Sequence, residues 1–201
     1  MPLIIDSVAQ VIKAHTSDSH ALAEKSLLLR LEAIRCKADY AAILKMFYGF
    51  FFPVQQKILT HISPDHLKDI EERRLASLIL DDLQSINFPS QHITLCSELP
   101  EIKSAAQAFG ALYVLEGATL GGRIIAKMLL RNSHLQLSEE NLSFFNGYKE
   151  ATGIKWKIFQ QALNQQFGQE LLVDTAKETF LLFRNWINTC WPHEHTSEKE
   201  C

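Results

Sequence analysis

The sequence is poor in the features that mark zinc-binding, disulfide-rich and nucleic-acid-binding proteins. It has four cysteines among 201 residues and no CxxC pair. This spacing disfavours a zinc site or a disulfide framework and predicts reduced thiols. Its 20 Lys and Arg against 23 Asp and Glu give a net charge of -3. No block of five or more basic residues occurs, so we expect no nucleic-acid partner.

Long hydrophobic runs are also missing. The start, MPLIIDSVAQVIK, is interrupted by Asp6 and lacks the basic region of a signal peptide. The run FYGFFFPV is far shorter than the roughly 20 residues that a membrane helix needs. Hydrophobic residues make up 47% of the chain and charged residues 21%, which is ordinary for a globular protein. We therefore expect a cytoplasmic protein without a membrane segment.

Strand-like alternation is absent, and apolar residues recur at helical spacing instead. The pattern predicts a single all-α domain of about seven helices over residues 1–191, followed by a polar, disordered tail over residues 192–201. The expected helices cover residues 6–29, 40–61 and 63–86, a long helix opened by Pro100, and residues 138–147, 153–167 and 169–191.

Three glycines interrupt the predicted helix EGATLGGRIIAKMLL. Interior glycines cost a helix about 1 kcal/mol each relative to alanine, so a gain elsewhere is expected. Gly117 and Gly121 are four residues apart and share one face, which can admit either another helix or a flat ligand against the backbone. The adjacent Gly121 and Gly122 also permit a bend. Helix packing and ligand contact both remain open from spacing alone.

A histidine and a glutamate share a face of the first predicted helix. His20 and Glu24 are four residues apart, so the carboxylate can accept one imidazole N–H while the other nitrogen binds a metal. The alternative is an exposed surface pair worth a few tenths of a kcal/mol. Lys13 lies two turns before His20, about 10 Å along the axis, where it could meet an anionic end of a ligand. His15 is the next candidate ligand, but it lies about 140° round the helix from His20.

Four segments follow one another along nearly the whole chain: IKAHTSDSHALAEKS, GALYVLEGATLGGRIIAKML, FFNGYKEATGIKWKIF and AKETFLLFRNWI. Together they resemble the heme oxygenase family, in its bacterial, biliverdin-producing branch. The resemblance implies a heme oxygenase-like fold in which heme lies between a proximal helix and a kinked, glycine-rich distal helix. It also implies the following roles: His20 as the axial ligand of the heme iron, Glu24 as its partner, Gly117, Gly121 and Gly122 over the heme, Phe180 in the pocket, and Lys13, Lys157 and Tyr113 at the propionates.

Two positions depart from the better-known pattern of that family. Ala118 stands where many members have an aspartate that anchors distal water, and Gln161 stands where some have an arginine that holds a propionate. Ala118 leaves the route of proton delivery unidentified. Gln161 leaves the in-plane orientation of the heme, and hence the cleaved meso carbon, undetermined.

The function implied by the resemblance is cleavage of heme to biliverdin, carbon monoxide and iron, with heme as both substrate and cofactor. O2 and an external electron donor, a reductase or ferredoxin, would be required, and a bilin acceptor is a further conceivable partner. The first alternative is a non-catalytic heme- or bilin-binding protein on the same scaffold. A di-iron oxidase would need Glu-x2-His pairs, and none occurs. A thiamine-salvage hydrolase would need a nucleophilic cysteine with partners, and no cysteine is nominated.

Overall fold

The computed structural model describes residues 7–73, 75–88 and 90–191, and this part of the chain contains helices and no strand. The prediction of an all-α fold is therefore confirmed, while the predicted tail over residues 192–201 lies outside the described residues. The seven α-helices are α1 (Val8–Glu32), α2 (Lys37–Leu59), α3 (Leu75–Ser85), α4 (Ala105–Arg131), α5 (Ser143–Asn146), α6 (Thr152–Leu163) and α7 (Gln169–Cys190), with 3-10 turns at Ile70–Glu72, Glu139–Asn141 and Lys149–Ala151.

Side-chain capping decides where the two longest helices begin. The Ser7 hydroxyl accepts from the Gln10 backbone N–H at 3.3 Å, and the Gln10 side chain accepts from the Ser7 N–H at 2.8 Å. This reciprocal pair satisfies two donors that the first turn of α1 leaves without partners. Ser104 caps α4 by accepting from the Gln107 N–H at 3.3 Å. The long helix therefore begins after Ser104, later than the expected start at Pro100.

The prediction of one helix over residues 63–86 is wrong in its first half. This stretch holds turns and the short 3-10 segment, and α3 begins only at Leu75. The cause is a side chain of α2. Gln55 donates to the Arg73 carbonyl at 3.0 Å and accepts from the Ala76 N–H at 3.2 Å, so it replaces bonds that a continuous helix would make.

Helix α7 organises the part of the fold that concerns function. It packs extensively against both α1 and α4, whereas α1 and α4 pack much less against each other. Helix α2 lies behind them and contributes buried aromatic rings, among them Phe47, which lies within 5.0–5.6 Å of four other phenylalanine rings. As a result α1 and α4 each keep a face that α7 does not cover.

The cysteines and the apolar helices bear on two further expectations. Cys96 and Cys190 are free thiols, whereas Cys36 is disulfide-bonded, so the prediction of reduced thiols is wrong at that position. None of the helices in the described ranges is both long enough and apolar enough to cross a bilayer.

Candidate functional site

One face of α4 carries two glycines that no other helix of the described residues covers. A Cβ atom built on Gly117 or Gly121 meets no atom of the described residues within 4 Å. The same stripe continues with Leu120 and Ile124, whose exposed fractions are 45% and 74%. These four positions follow the i, i+3, i+4, i+7 spacing of one helical face. Close packing against another described helix therefore does not explain Gly117 and Gly121, and among the described residues the face is an open apolar surface.

Gly122, the third predicted glycine, lies on another side of α4. A Cβ built there would stand 2.3 Å from the Phe145 backbone oxygen, which belongs to α5. Such a distance is far inside van der Waals contact, so Gly122 allows two backbones to approach. The structure thus gives Gly122 a packing contact with α5, and its predicted role over the heme stays a prediction. Helix α4 continues through all three glycines without a break in its α-helical range.

The structure brings three predicted residues together on α1 and α7. The His20 Nε2 atom lies 3.4 Å from a Glu24 carboxylate oxygen, and both side chains are at least half exposed. The His20 ring meets the buried Phe180 ring edge-on, with centroids 5.3 Å apart. In this rotamer Nδ1 is the ring nitrogen of His20 that does not face Glu24.

The predicted cations lie at the surface, and the predicted tyrosine is partly buried. Lys13 on α1 and Lys157 on α6 are exposed, and neither forms a salt bridge within the described ranges. Tyr113 on α4 is half-buried against the Trp156 ring at 5.7 Å. Burial raises the pKa of Tyr113 in spite of its interaction with the Thr16 hydroxyl on α1. Tyr113 therefore marks where α1 and α4 meet.

A buried charge network lies behind the open face, and the sequence did not reveal it. Glu116 is 1% exposed and immediately precedes Gly117. Its carboxylate accepts from the Tyr148 hydroxyl at 2.8 Å and from the Arg73 guanidinium. Burial lowers the pKa of Arg73, but the carboxylates of Glu116 and Asp69 outweigh burial and raise it, so the guanidinium stays charged. The one available signal was a single carboxylate inside the apolar run ALYVLEGATL.

Two surface cavities, of about 560 Å³ and 490 Å³, are lined by residues other than the four of the open face. The first lies beside α2 and α3, and the second beside the 3-10 turn at Glu139–Asn141. Neither is lined by His20, Gly117 or Gly121. The candidate site is therefore described by its residues, which are the open face of α4 and the His20–Glu24 pair of α1.

Known proteins resemble this chain in sequence and in fold. The family model for heme oxygenase matches residues 6–189. A curated heme oxygenase from Xanthomonas campestris pv. campestris (strain 8004) is 33% identical over 94 residues, which are 47% of this chain and 53% of that protein. The match thus spans about half the length of the curated relative. A solved structure of a heme oxygenase from Leptospira interrogans superposes with a TM-score of 0.70 at 20% identity, over 92% of this chain and all of the other, and shows a shared fold.

Proposed function

The chain belongs to the heme oxygenase family, and from that premise we propose that it binds heme between α1 and α4 and cleaves it to biliverdin, carbon monoxide and iron. The observation that carries the proposal is the open face at Gly117 and Gly121, on a helix that shares its packing partner, α7, with the helix of His20. We assign this activity to residues 1–191 and place it in the cytoplasm of a bacterium.

The exposed surfaces of the two helices fit a flat, largely apolar ring with anionic edges. Gly117 and Gly121 let such a ring approach the α4 backbone without meeting a side chain. Leu120 and Ile124 would lose their exposure to water on binding, and apolar burial contributes about 25 cal/mol per Å². Phe180 supplies an aromatic wall beside His20. The residues present therefore fit the group that the family binds.

Bound heme supplies an iron centre for O2 activation and the meso carbon that becomes oxidised. His20 would hold the iron through a neutral imidazole, and Glu24 would fix the tautomer and orientation of that ring. Imidazole lacks the electron push by which a thiolate ligand favours O–O cleavage. His20 therefore suits an enzyme in which the macrocycle itself is oxidised.

Helix α4 would contribute open space on the distal side of the bound ring. Side chains at positions 117 and 121 would stand over the ring and obstruct access to its meso edge. Glycines instead expose backbone groups there, and ordered water held by such groups can deliver protons. Ala118 offers no carboxylate for this task. We therefore assign proton delivery to water held by backbone and nearby polar groups.

The propionates would be held at the rim by Lys13 and Lys157, assisted by Tyr113. Two cations for two carboxylates give charge-assisted hydrogen bonds, and neither lysine forms a salt bridge within the described residues. Lysine is a flexible point charge that fixes geometry poorly. Electrons would come from a reductase or ferredoxin, and a bilin acceptor would take up the product.

A non-catalytic heme- or bilin-binding protein is the second candidate, and Ala118 favours it because the distal helix lacks an acid at that position. The two functions separate in an optical titration with hemin, followed by addition of reductant under air. We expect a Soret band that decays to a biliverdin-type absorption. A Soret band that persists under a competent reductant would support the binding protein instead.

The role of His20 is tested in the same titration. His20→Ala should weaken the Soret band and abolish most turnover, because the axial bond is lost. His15→Ala is the matched control, since His15 is exposed on the same helix. Full activity in His20→Ala together with loss in His15→Ala would move the ligand to His15.

A further inference from the structure

We infer that Arg73 is a positioning residue of the heme site, because it fixes the open face of α4 relative to α6. This inference rests on the proposed function. It assigns a role to a residue that lies outside the open face and touches neither His20 nor the glycines. Arg73 and its partners come from four separate stretches of the chain, and the guanidinium joins them at one point.

The Arg73 side chain is fully buried and uses all three of its nitrogens. Its Nη1 atom donates to the Glu116 carboxylate on α4. Its Nε and Nη2 atoms donate to the two carboxylate oxygens of Asp69 at 2.9 Å and 3.0 Å. Nη2 also donates to the Lys155 backbone carbonyl on α6 at 2.8 Å. A planar guanidinium with this many partners has one orientation only.

Aromatic rings complete the enclosure of the guanidinium. The Arg73 carbon Cζ lies 5.8 Å from the Tyr148 ring centroid and 5.9 Å from the Phe159 ring centroid. The Tyr148 hydroxyl donates to the second oxygen of Glu116 at 2.8 Å. Both oxygens of the Glu116 carboxylate are thus held, one by a cation and one by a hydroxyl. This arrangement leaves the α4 backbone little freedom to rotate at Glu116.

The partners of Arg73 lie next to residues of the proposed heme site in the sequence. Glu116 precedes Gly117 by one residue, so a rotation of α4 that moves its carboxylate also turns the open face. Lys155 precedes Lys157 by two residues on α6, so the carbonyl that Arg73 holds fixes the helix that carries a proposed propionate cation. Because a lysine is too mobile to orient the heme alone, the placement of α6 against α4 would select the meso carbon that faces the glycines.

A contribution to folding stability alone does not account for the buried ion pair between Arg73 and Glu116. Apolar residues of similar volume often stabilise a protein as well as a buried ion pair does, whereas removing one partner leaves an uncompensated charge. Directional bonds differ from apolar contacts in that they specify an orientation. A network that couples α4 to α6 is therefore better suited to set geometry than to add stability.

The test compares two identical chemical changes, Glu116→Gln and Glu72→Gln. Glu72 is an exposed member of the same network that binds the Lys155 ammonium, so its change alters charge without loosening Arg73 from α4. Two quantities are measured: the biliverdin isomer ratio of the heme-loaded protein, and amide hydrogen exchange along α4 and α6 in the heme-free protein. For Glu116→Gln we expect the isomer ratio to change about tenfold, as expected for about 1.4 kcal/mol of lost discrimination, with faster exchange in α4. Glu72→Gln should leave both unchanged.

Tyr148→Phe provides a second variant if Glu116→Gln folds poorly. It removes one hydrogen bond to Glu116 and keeps the ring beside Arg73, so its effects should run in the same direction and be smaller. The inference is overturned if both variants unfold at lower temperature yet keep the wild-type isomer ratio and ferric heme spectrum. If the wild-type protein binds heme without turnover, the proposed function fails, and the heme orientation seen by NMR in wild type and variants decides the inference alone. If the wild-type protein binds no heme, both fail.

Discussion

Helix α4 carries two pairs of glycines whose surroundings are opposite. A Cβ built on Gly110 would lie 2.4 Å from the Leu172 carbonyl oxygen, and one on Gly122 would lie 2.3 Å from the Phe145 carbonyl oxygen. A Cβ on Gly117 or Gly121 meets no atom of the described residues within 4 Å. The first pair lets α7 and α5 pack against α4, and the second pair keeps a surface bare. Glycine is thus needed on this helix for two reasons, and the two pairs should respond oppositely to substitution.

The largest effect is expected where the added atom meets backbone. Gly122→Ala should lower the free energy of unfolding of the heme-free protein by about 1–3 kcal/mol, as overpacked sites do, because the Phe145 carbonyl can yield only if α5 moves. Chemical denaturation with urea measures the change. Gly117→Ala serves as the control with the same added methyl group. Equal stability of Gly122→Ala and wild type would show that α5 adjusts freely, and the distinction between the glycine pairs would fail.

The next effect concerns function at the open face. Gly121→Leu should reduce biliverdin yield at least about tenfold, a loss of about 1.4 kcal/mol, because its side chain would occupy the space assigned to the ring. The stability of the heme-free protein should not fall. Lys127→Leu introduces the same side chain at another exposed position of α4 and should leave turnover intact. Normal turnover in Gly121→Leu would contradict the proposed role of the open face, which would then have no explanation.

A smaller effect of opposite sign is expected on stability. Gly117→Ala should stabilise the heme-free protein by up to about 1 kcal/mol, because alanine is the better helix former and has room here. Heme affinity should fall in the same variant. Gly153→Ala on α6 is the matched control, since Gly153 is equally unobstructed and lies outside the proposed site. A thermal melt and a hemin titration of both variants check the pair of outcomes. Destabilisation by Gly117→Ala would mean that its position is strained or covered.

These glycines also show how far the sequence could predict the site. The spacing of Gly117 and Gly121 placed both on one face, and the structure agrees. It could not distinguish Gly122, because only the tertiary position of α5 determines which side of α4 is covered. Resemblance, and not spacing, indicated Phe180, which the structure places against His20.

The other differences between the sequence-based expectations and the structure also arise from long-range contacts. Arg73 and Glu116 are 43 residues apart, and no local pattern connects them. The break before α3 depends on Gln55 from another helix. The periodicity of apolar residues predicted which segments are helical, because it depends on which face of a helix is apolar. The helix ends and the positions of the buried charges depend instead on side-chain hydrogen bonds between distant segments.

The packing of Gly122 depends in turn on a buried carboxylate that holds α5 in place. Asp82 is fully buried on α3 and accepts from the Ser143 and Phe144 backbone N–H groups at 2.7 Å and 2.9 Å. Burial raises the pKa of Asp82 to about 6 although both N–H groups favour the charged form. The packed glycine should therefore sit in a region whose stability depends on pH.

The direction in which stability changes with pH depends on the pKa of Asp82 in the folded chain and in the unfolded chain. Because the folded pKa of Asp82 lies above the ordinary value of 3.8, the folded state binds a proton more tightly, and protonation stabilises it as the pH falls below about 6. The stability of wild type relative to Asp82→Asn should therefore increase by about 1 kcal/mol between pH 7 and pH 5, measured by urea unfolding of the heme-free proteins. Asp69, whose pKa is lowered by Arg73 and Lys155 in spite of burial, acts in the opposite direction but is common to both proteins and cancels. If the difference shrinks as the pH falls, the charged carboxylate is what holds α5, and its two backbone bonds outweigh burial.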